Sequence, residues 1–153
     1  KLLFILQEVY RVPLGYRFSL YTYGPYCSDV LADLDYSEAM EAVNICNIVS
    51  GPGGYSIEPS KKTKEYIVKA EAFLQEHKNS IEEVLELFGK MTAKDLELRS
   101  TIIYIYKNYL KNKWEISNTE IADDVKTLKP YFTTEQILAA YQELENMKVF
   151  NRL

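Results

Sequence analysis

The chain has 153 residues, of which 47% are hydrophobic and 26% are charged, and its formal net charge is −4. This composition is typical of a globular protein that can bury a core. It argues against a protein that binds nucleic acid over its whole surface, and no apolar run is long enough to span a bilayer. No cleavage site follows the apolar start, so we expect no signal peptide.

The first quarter of the chain predicts a helix, a strand and a second helix. Lys1–Arg11 carries apolar residues at helical spacing, and Arg17–Tyr23 is rich in aromatic residues that alternate loosely, as in a short strand. Gly24-Pro25 predicts a turn, with Pro25 in the first position of a helix over Tyr26–Leu34. The aromatic turn therefore lies between a strand and a helix.

A hairpin is predicted next. Ser37 can cap a short helix over Glu38–Asn44. Two strand-like runs then follow, Ile45–Val49 and Tyr55–Glu58, on either side of a Gly/Pro cluster. The cluster predicts the tip of the hairpin.

The rest of the chain is predicted to be helical, beginning with a helix from Lys61 to about His77. Four further helix starts are indicated by a Ser or Thr followed three residues later by an acidic residue or Gln, at Ser80 and Glu83, Thr92 and Asp95, Ser117 and Glu120, and Thr133 and Gln136. The helix after Thr92 runs to about Lys111. It is apolar on more than one side, so we expect it to be the central, most buried helix.

The predicted elements follow the order of a winged helix: a helix, a strand, two helices, a hairpin and a helix. Gly51–Gly54 would be the tip of the wing. The fold class predicted is mostly α with a small β-hairpin wing. We divide the chain into a winged-helix-like unit, residues 1–78, and a C-terminal helical unit, residues 79–153, whose last three helices form a trihelical, wingless group. The two are expected to pack as one compact body.

Several segments resemble the YwgA-like family of uncharacterised prokaryotic proteins, namely Leu2–Leu6, Tyr21–Ser28, Gly53–Tyr55, Glu97–Ile102, Leu128–Pro130 and Thr134–Ile137. This resemblance covers nearly the whole chain. The aromatic-Tyr-Gly-Pro turn also resembles, more distantly, the SocA-type antitoxin and proteolytic-adaptor domain, over the first half. The resemblance implies a bacterial or archaeal cytoplasmic protein of winged-helix architecture without an assigned catalytic residue. For the antitoxin-like relatives it implies binding to a partner protein.

The sequence offers little for metal binding or catalysis. Cys27, Cys46 and His77 are the only soft ligands and match no zinc spacing, so we predict no metal and no cofactor. We expect both cysteines to be reduced thiols in a cytoplasmic protein. Gly51–Gly54 lacks the Lys-Ser/Thr of a phosphate loop. Paired acids without a nearby histidine are typical of a solvated face, as at Asp33 and Asp35 and at Asp123 and Asp124.

DNA binding is the main alternative function. The helix before the wing, Ser37–Val43, has two acids and no base, and Thr134–Met147 carries three acids, so phosphate repulsion opposes groove reading by either. Three lysines crowd the start of the helix after the wing and form a candidate phosphate-binding site, Lys61, Lys62 and Lys64. The competing interpretation is a solvated face with Glu58 and Glu65 as counterions.

Tyrosine is frequent, with 13 residues. Four of them bracket the Gly24-Pro25 turn and form a candidate protein-binding site, Tyr21, Tyr23, Tyr26 and Tyr36. Tyrosine is a favoured interface anchor because its ring is rigid and amphipathic. We therefore expect a non-enzymatic regulatory or adaptor protein that binds a partner protein. A DNA-binding regulator is the alternative and an enzyme with an unrecognised site the third class; the partner and the oligomeric state stay open.

Overall fold

The computed structural model describes residues 1–48 and 54–153. In this part of the chain the elements are, in order, α1 (Leu2–Glu8), β1 (Ser19–Tyr21), β2 (Gly24–Tyr26), α2 (Ser28–Ala39), β3 (Val43–Asn47), β4 (Tyr55–Pro59), α3 (Thr63–Lys69), α4 (Glu71–Glu76), α5 (Lys78–Phe88), α6 (Ala93–Asn112), α7 (Asn118–Leu128) and α8 (Thr134–Asn146). The strands form two antiparallel hairpins, β1–β2 and β3–β4. The prediction of a mostly helical fold with a small hairpin is confirmed. Within the described residues, no helix combines the length and apolarity needed to cross a membrane.

The chain divides into two compact units. The first joins Lys1–Tyr26 to Asn79–Leu153, and the second is Cys27–Lys78. The segment before Cys27 thus groups with the C-terminal helices. The division into domains at residue 78 stays a prediction.

Helix α6 is the centre of the first unit. It begins at a capping box in which the Thr92 side chain accepts from the Asp95 amide and the Asp95 carboxylate accepts from the Thr92 amide. Eight of its residues are buried, and Ile102 and Ile103 are fully enclosed. Helices α1, α7 and α8 pack against it. The prediction that this is the most buried helix is confirmed, because residues on several of its sides are apolar.

The second unit is built on α2 and the β3–β4 hairpin. The register pairs Val43 with Pro59 at one end and Asn47 with Tyr55 at the other. Helix α2 packs beside β3. None of the α2 residues is buried, so this unit presents much of its helix to solvent.

Two predictions around the aromatic turn are wrong. Gly24 and Pro25 belong to strand β2, and the next helix begins at Ser28. Ser37 does not start a new helix, because it lies inside α2, where its hydroxyl donates to the Asp33 carbonyl at 2.7 Å. A serine can satisfy its hydroxyl in this way within a helix, so its capping preference does not force a helix start. Residues 37–39 form the end of α2, and the separate recognition helix predicted over residues 37–43 is therefore absent.

Two helix boundaries also differ from prediction. The single helix expected from Lys61 to His77 is two helices, α3 and α4, that meet at Ala70. Ser80 lies within α5, which already begins at Lys78. Of the predicted wing tip, Gly51–Gly54, only Gly54 is among the described residues.

Candidate functional site

The β1–β2 hairpin carries three of the four tyrosines predicted as a protein-binding site. Its register pairs Ser19 with Tyr26 and Tyr21 with Gly24. The side chains of Tyr21, Tyr23 and Tyr26 are 67%, 70% and 40% exposed. The rings of Tyr21 and Tyr26 lie side by side, with centroids 5.7 Å apart. The hairpin therefore presents a small group of aromatic rings to solvent.

Tyr36 lies on a different element from these three. It is on α2, in the second compact unit, and it too is exposed. The structure brings Tyr21, Tyr23 and Tyr26 together on one hairpin, whereas Tyr36 belongs to the other unit.

The backbone of the hairpin sits directly on α6. Gly24 has φ +86°, a conformation that favours glycine, and a Cβ at this position would lie 3.1 Å from Thr101 Oγ1 and 3.3 Å from Ser100 Oγ. Thr101 Oγ1 is buried and has no hydrogen-bond partner within the described residues. Small side chains on α6 thus allow the close approach of Gly24, which a larger residue at 24 would prevent.

Two lysine ammonium groups donate hydrogen bonds to backbone carbonyls of the β1–β2 hairpin. Lys129 is only 1% exposed, and its Nζ donates to the Thr22 carbonyl. The same Nζ is 2.8 Å from Oε1 of Glu97, which is 7% exposed. Lys1 Nζ donates to the Pro25 carbonyl at 2.8 Å. Since the Thr22 and Pro25 carbonyls each accept from a charged donor, charge-assisted hydrogen bonds fix the hairpin backbone at these two residues.

Tyr131 completes the buried network. Its hydroxyl donates to Glu97 Oε1, while about half of its ring remains exposed. Partial burial of the hydroxyl, the hydrogen bond to Glu97 and the charges of Glu97 and Tyr23 raise the pKa of Tyr131 to about 12. Tyr131 therefore links a partly exposed ring to the buried pair of Glu97 and Lys129.

The site residues predicted from the sequence do not include Glu97, Lys129 or Tyr131. Lysine is rarely buried unless paired, and the partner of Lys129 is far away in sequence. Glu97 and Lys129 lie in two of the segments that carry the resemblance described above, Glu97–Ile102 and Leu128–Pro130. That overlap is the one signal that could have pointed to them.

Two of the three predicted phosphate-binding lysines, Lys61 and Lys62, are paired with an acid, whereas Lys64 is exposed on α3. Lys61 and Lys62 each place Nζ 2.8 Å from a carboxylate oxygen of Glu41. Hydrogen bonds from these two lysines, and their charge, lower the pKa of Glu41 to about 2. The predicted counterion Glu65 instead pairs with Lys69, at 2.7 Å. Since a phosphate bound by Lys61 and Lys62 would have to displace Glu41, the geometry opposes an anion site at these two lysines.

The last candidate recognition helix, α8, also offers little to a DNA groove. Its two glutamines are bound within the helix region: Gln136 accepts from the Thr133 amide at 2.9 Å, and Gln142 donates to Glu145 at 2.8 Å. Glu143 pairs with Arg99 of α6. The side chains that could read bases are thus engaged, and the acids of the helix remain.

The soft ligands lie in ordinary surroundings. Cys27 is buried and Cys46 is exposed, and both are free thiols. His77 is half-buried, with its ring edge-on to Phe73 at a centroid distance of 4.6 Å. Across residues 1–48 and 54–153, no group of three or more His, Cys, Asp or Glu side chains could hold a metal ion.

Comparisons with protein-family models, with curated proteins and with solved structures find no match to this chain.

Proposed function

We propose that this chain is a non-enzymatic regulatory or adaptor protein that binds a partner protein through the tyrosines of its β1–β2 hairpin. The observation that carries the proposal is the combination of exposed rings and a fixed backbone. Tyr21 and Tyr23 are the most exposed of the three, on a hairpin anchored by buried charges.

A binding surface that becomes ordered only on binding costs free energy. Flexible loops lose conformational entropy when they bind, and a surface that is rigid beforehand avoids this cost. Tyr side chains have few rotatable bonds and offer both an apolar ring and a polar hydroxyl. A hairpin fixed at Thr22 and Pro25 by lysines therefore presents its tyrosines ready for binding.

We also propose that the chain is related to winged-helix proteins and is located in the cytoplasm, as the resemblance to the YwgA-like and SocA-type proteins implies. Helix α2, the β3–β4 hairpin and α3 follow one another in the order of helix, wing and helix, although one helix stands where two were predicted before the wing. DNA binding is the weaker proposal, because Glu41 already binds Lys61 and Lys62.

The test is affinity capture from an extract of the source cells, with captured protein measured by quantitative mass spectrometry. Replacing Tyr23 and Tyr26 together by Ala should reduce capture of the dominant partner about 30-fold, which corresponds to one hot spot of about 2 kcal/mol. The triple variant Lys61→Glu, Lys62→Glu, Lys64→Glu should capture the partner as the wild type does. Leu85→Ala, at an exposed apolar residue of α5, is the control for the loss of apolar surface.

Two results would contradict the proposed function. If circular dichroism shows folded variants, unchanged capture by the double tyrosine variant removes the proposal. Sequence-selective duplex binding at physiological salt that disappears in the triple lysine variant would establish the DNA-binding function in its place.

A further inference from the structure

A groove lies within the second compact unit, between α2 and the β3–β4 hairpin. Its volume is about 340 Å³. The side chains that line it include the apolar Leu31, Leu34, Ile45 and Tyr55 and the acidic Asp35 and Glu38. This volume is near the lower end of small-molecule pockets, about 300–1,000 Å³. It suits a few inserted side chains better than a whole enclosed ligand.

The hairpin face beside this groove is apolar and largely uncovered. Ile45 is paired with Ile57, and Asn47 with Tyr55. Directly opposed residues of an antiparallel pair point to the same face of the sheet, so Ile45, Ile57 and Tyr55 share one face. Tyr55 is 70% exposed and Ile57 is 53% exposed. A two-stranded hairpin gains little stability alone, so exposing its apolar face has a cost that a bound segment would recover.

The two charged side chains that line the groove, Asp35 and Glu38, are both acidic. No Lys or Arg occurs from Phe18 to Ser60, whereas α2 alone carries Asp29, Asp33, Asp35 and Glu38. Glu38 accepts a hydrogen bond from the Ile45 amide at 2.9 Å, which fixes its carboxylate beside the groove. Within residues 1–48 and 54–153, neither Asp35 nor Glu38 forms a salt bridge with a basic side chain.

We propose that this groove binds a basic amphipathic peptide segment of a partner protein. Apolar side chains of the segment would pack on Leu31, Ile45 and Tyr55, and Lys or Arg beside them would pair with Asp35 and Glu38. This inference rests on the proposed function, because it names the chemistry of a partner segment. Complementary charge steers such a segment to the groove and opposes acidic or phosphate-rich ligands.

The test begins with selection of random 12-residue peptides displayed on phage, against the full immobilised chain. We expect enrichment of peptides with Lys or Arg next to Leu, Ile, Phe or Trp. A synthetic peptide of the enriched sequence is then titrated by fluorescence anisotropy. Raising the salt concentration should weaken binding, because part of the attraction is between exposed charges.

Two variants test the two components of the groove. Leu31→Asn removes apolar contact, and the double variant Asp35→Asn, Glu38→Gln removes charge while Gln can still accept from the Ile45 amide. Each should weaken binding of the selected peptide at least tenfold. The matched control Glu115→Gln, Asp123→Asn changes the net charge equally at exposed residues of the first unit and should stay within twofold of the wild type.

Three outcomes overturn the inference. The first is enrichment of peptides that lack basic residues. The second is a control that weakens binding as much as the groove variant does. The third is a dimer in sedimentation equilibrium that Leu31→Asn dissociates, because a second copy then covers the groove. The Tyr23 and Tyr26 variants separate this inference from the proposed function. Partner capture that depends on those tyrosines, together with no basic peptide bound, removes the groove inference alone. Basic peptides bound at the groove, together with capture independent of the tyrosines, remove the tyrosine proposal alone.

Discussion

Replacing Lys129 by Met tests how the aromatic hairpin is held. In the wild type, Lys129 Nζ lies 2.8 Å from Glu97 Oε1, and the two side chains are almost fully buried. Met removes the charge but keeps much of the apolar length. Glu97 then retains the Tyr131 hydroxyl as donor, and the Thr22 carbonyl loses its donor. Removing one partner of a buried ion pair costs about 3–5 kcal/mol, against about 0–1 kcal/mol for a surface pair.

The free energy of unfolding is measured by urea denaturation at pH 7, together with amide exchange at Tyr23 and Gly24. We expect Lys129→Met to lose about 3–5 kcal/mol and to speed exchange in the hairpin. Adding Glu97→Leu should cost less than the sum of the single changes, because it removes the unpaired charge. The exposed Lys111→Met is the control and should change stability by less than about 0.5 kcal/mol. A loss below about 1 kcal/mol for Lys129→Met, or strict additivity in the double variant, would refute the argument.

Four further results are expected. Ile103 is fully enclosed in α6, so Ile103→Ala should lower the free energy of unfolding by about 2–5 kcal/mol. A decrease under about 0.5 kcal/mol would contradict its central position. Gly24→Ala should destabilise by more than about 1 kcal/mol, because φ is positive and the new Cβ meets Thr101; an unchanged urea midpoint would argue otherwise. The folded-state pKa of Glu41 is about 2, below its usual 4.5, so its stabilising effect is complete above pH 4.5 and is lost as pH falls towards 2. Glu41→Gln should remove this part of the pH dependence of the free energy of unfolding. Tyr131 shows the opposite pH dependence, because its pKa is raised from 10 to about 12 in the folded state. Its contribution to the free energy of unfolding is therefore lost as pH rises from 10 to 12. In a phenolate absorbance titration, Tyr131→Phe should lack one group that ionises near 12 in the wild type.

Local signals predicted the helices of the C-terminal half well. The pairs Thr92 and Asp95 and Thr133 and Gln136 form capping boxes as expected, because both partners lie within one turn of the chain. The pair at Ser80 failed for a physical reason: the chain is already helical from Lys78, so the serine has no free amide to cap.

The aromatic hairpin could be predicted only in part. The strand up to Tyr21 and the change of direction near Gly24 follow from local residue preferences. That Gly24 and Pro25 form a second strand depends on pairing with β1 and on contact with α6, which lies far away in the sequence. The burial of Lys129 is likewise set by distant partners, Glu97 and Thr22, and has no local signature.

The absence of Lys and Arg from Phe18 to Ser60 also determines how the protein responds to proteolysis. Trypsin cleaves after basic residues, so β1, β2, α2, β3 and β4 contain no site for it, however exposed they are. A tryptic digest should therefore retain one long peptide that begins after Arg17 and runs to Lys61. A protease specific for acidic residues, by contrast, meets several sites on α2. Enzymes that attach a modifier to lysine side chains likewise find no acceptor along this stretch.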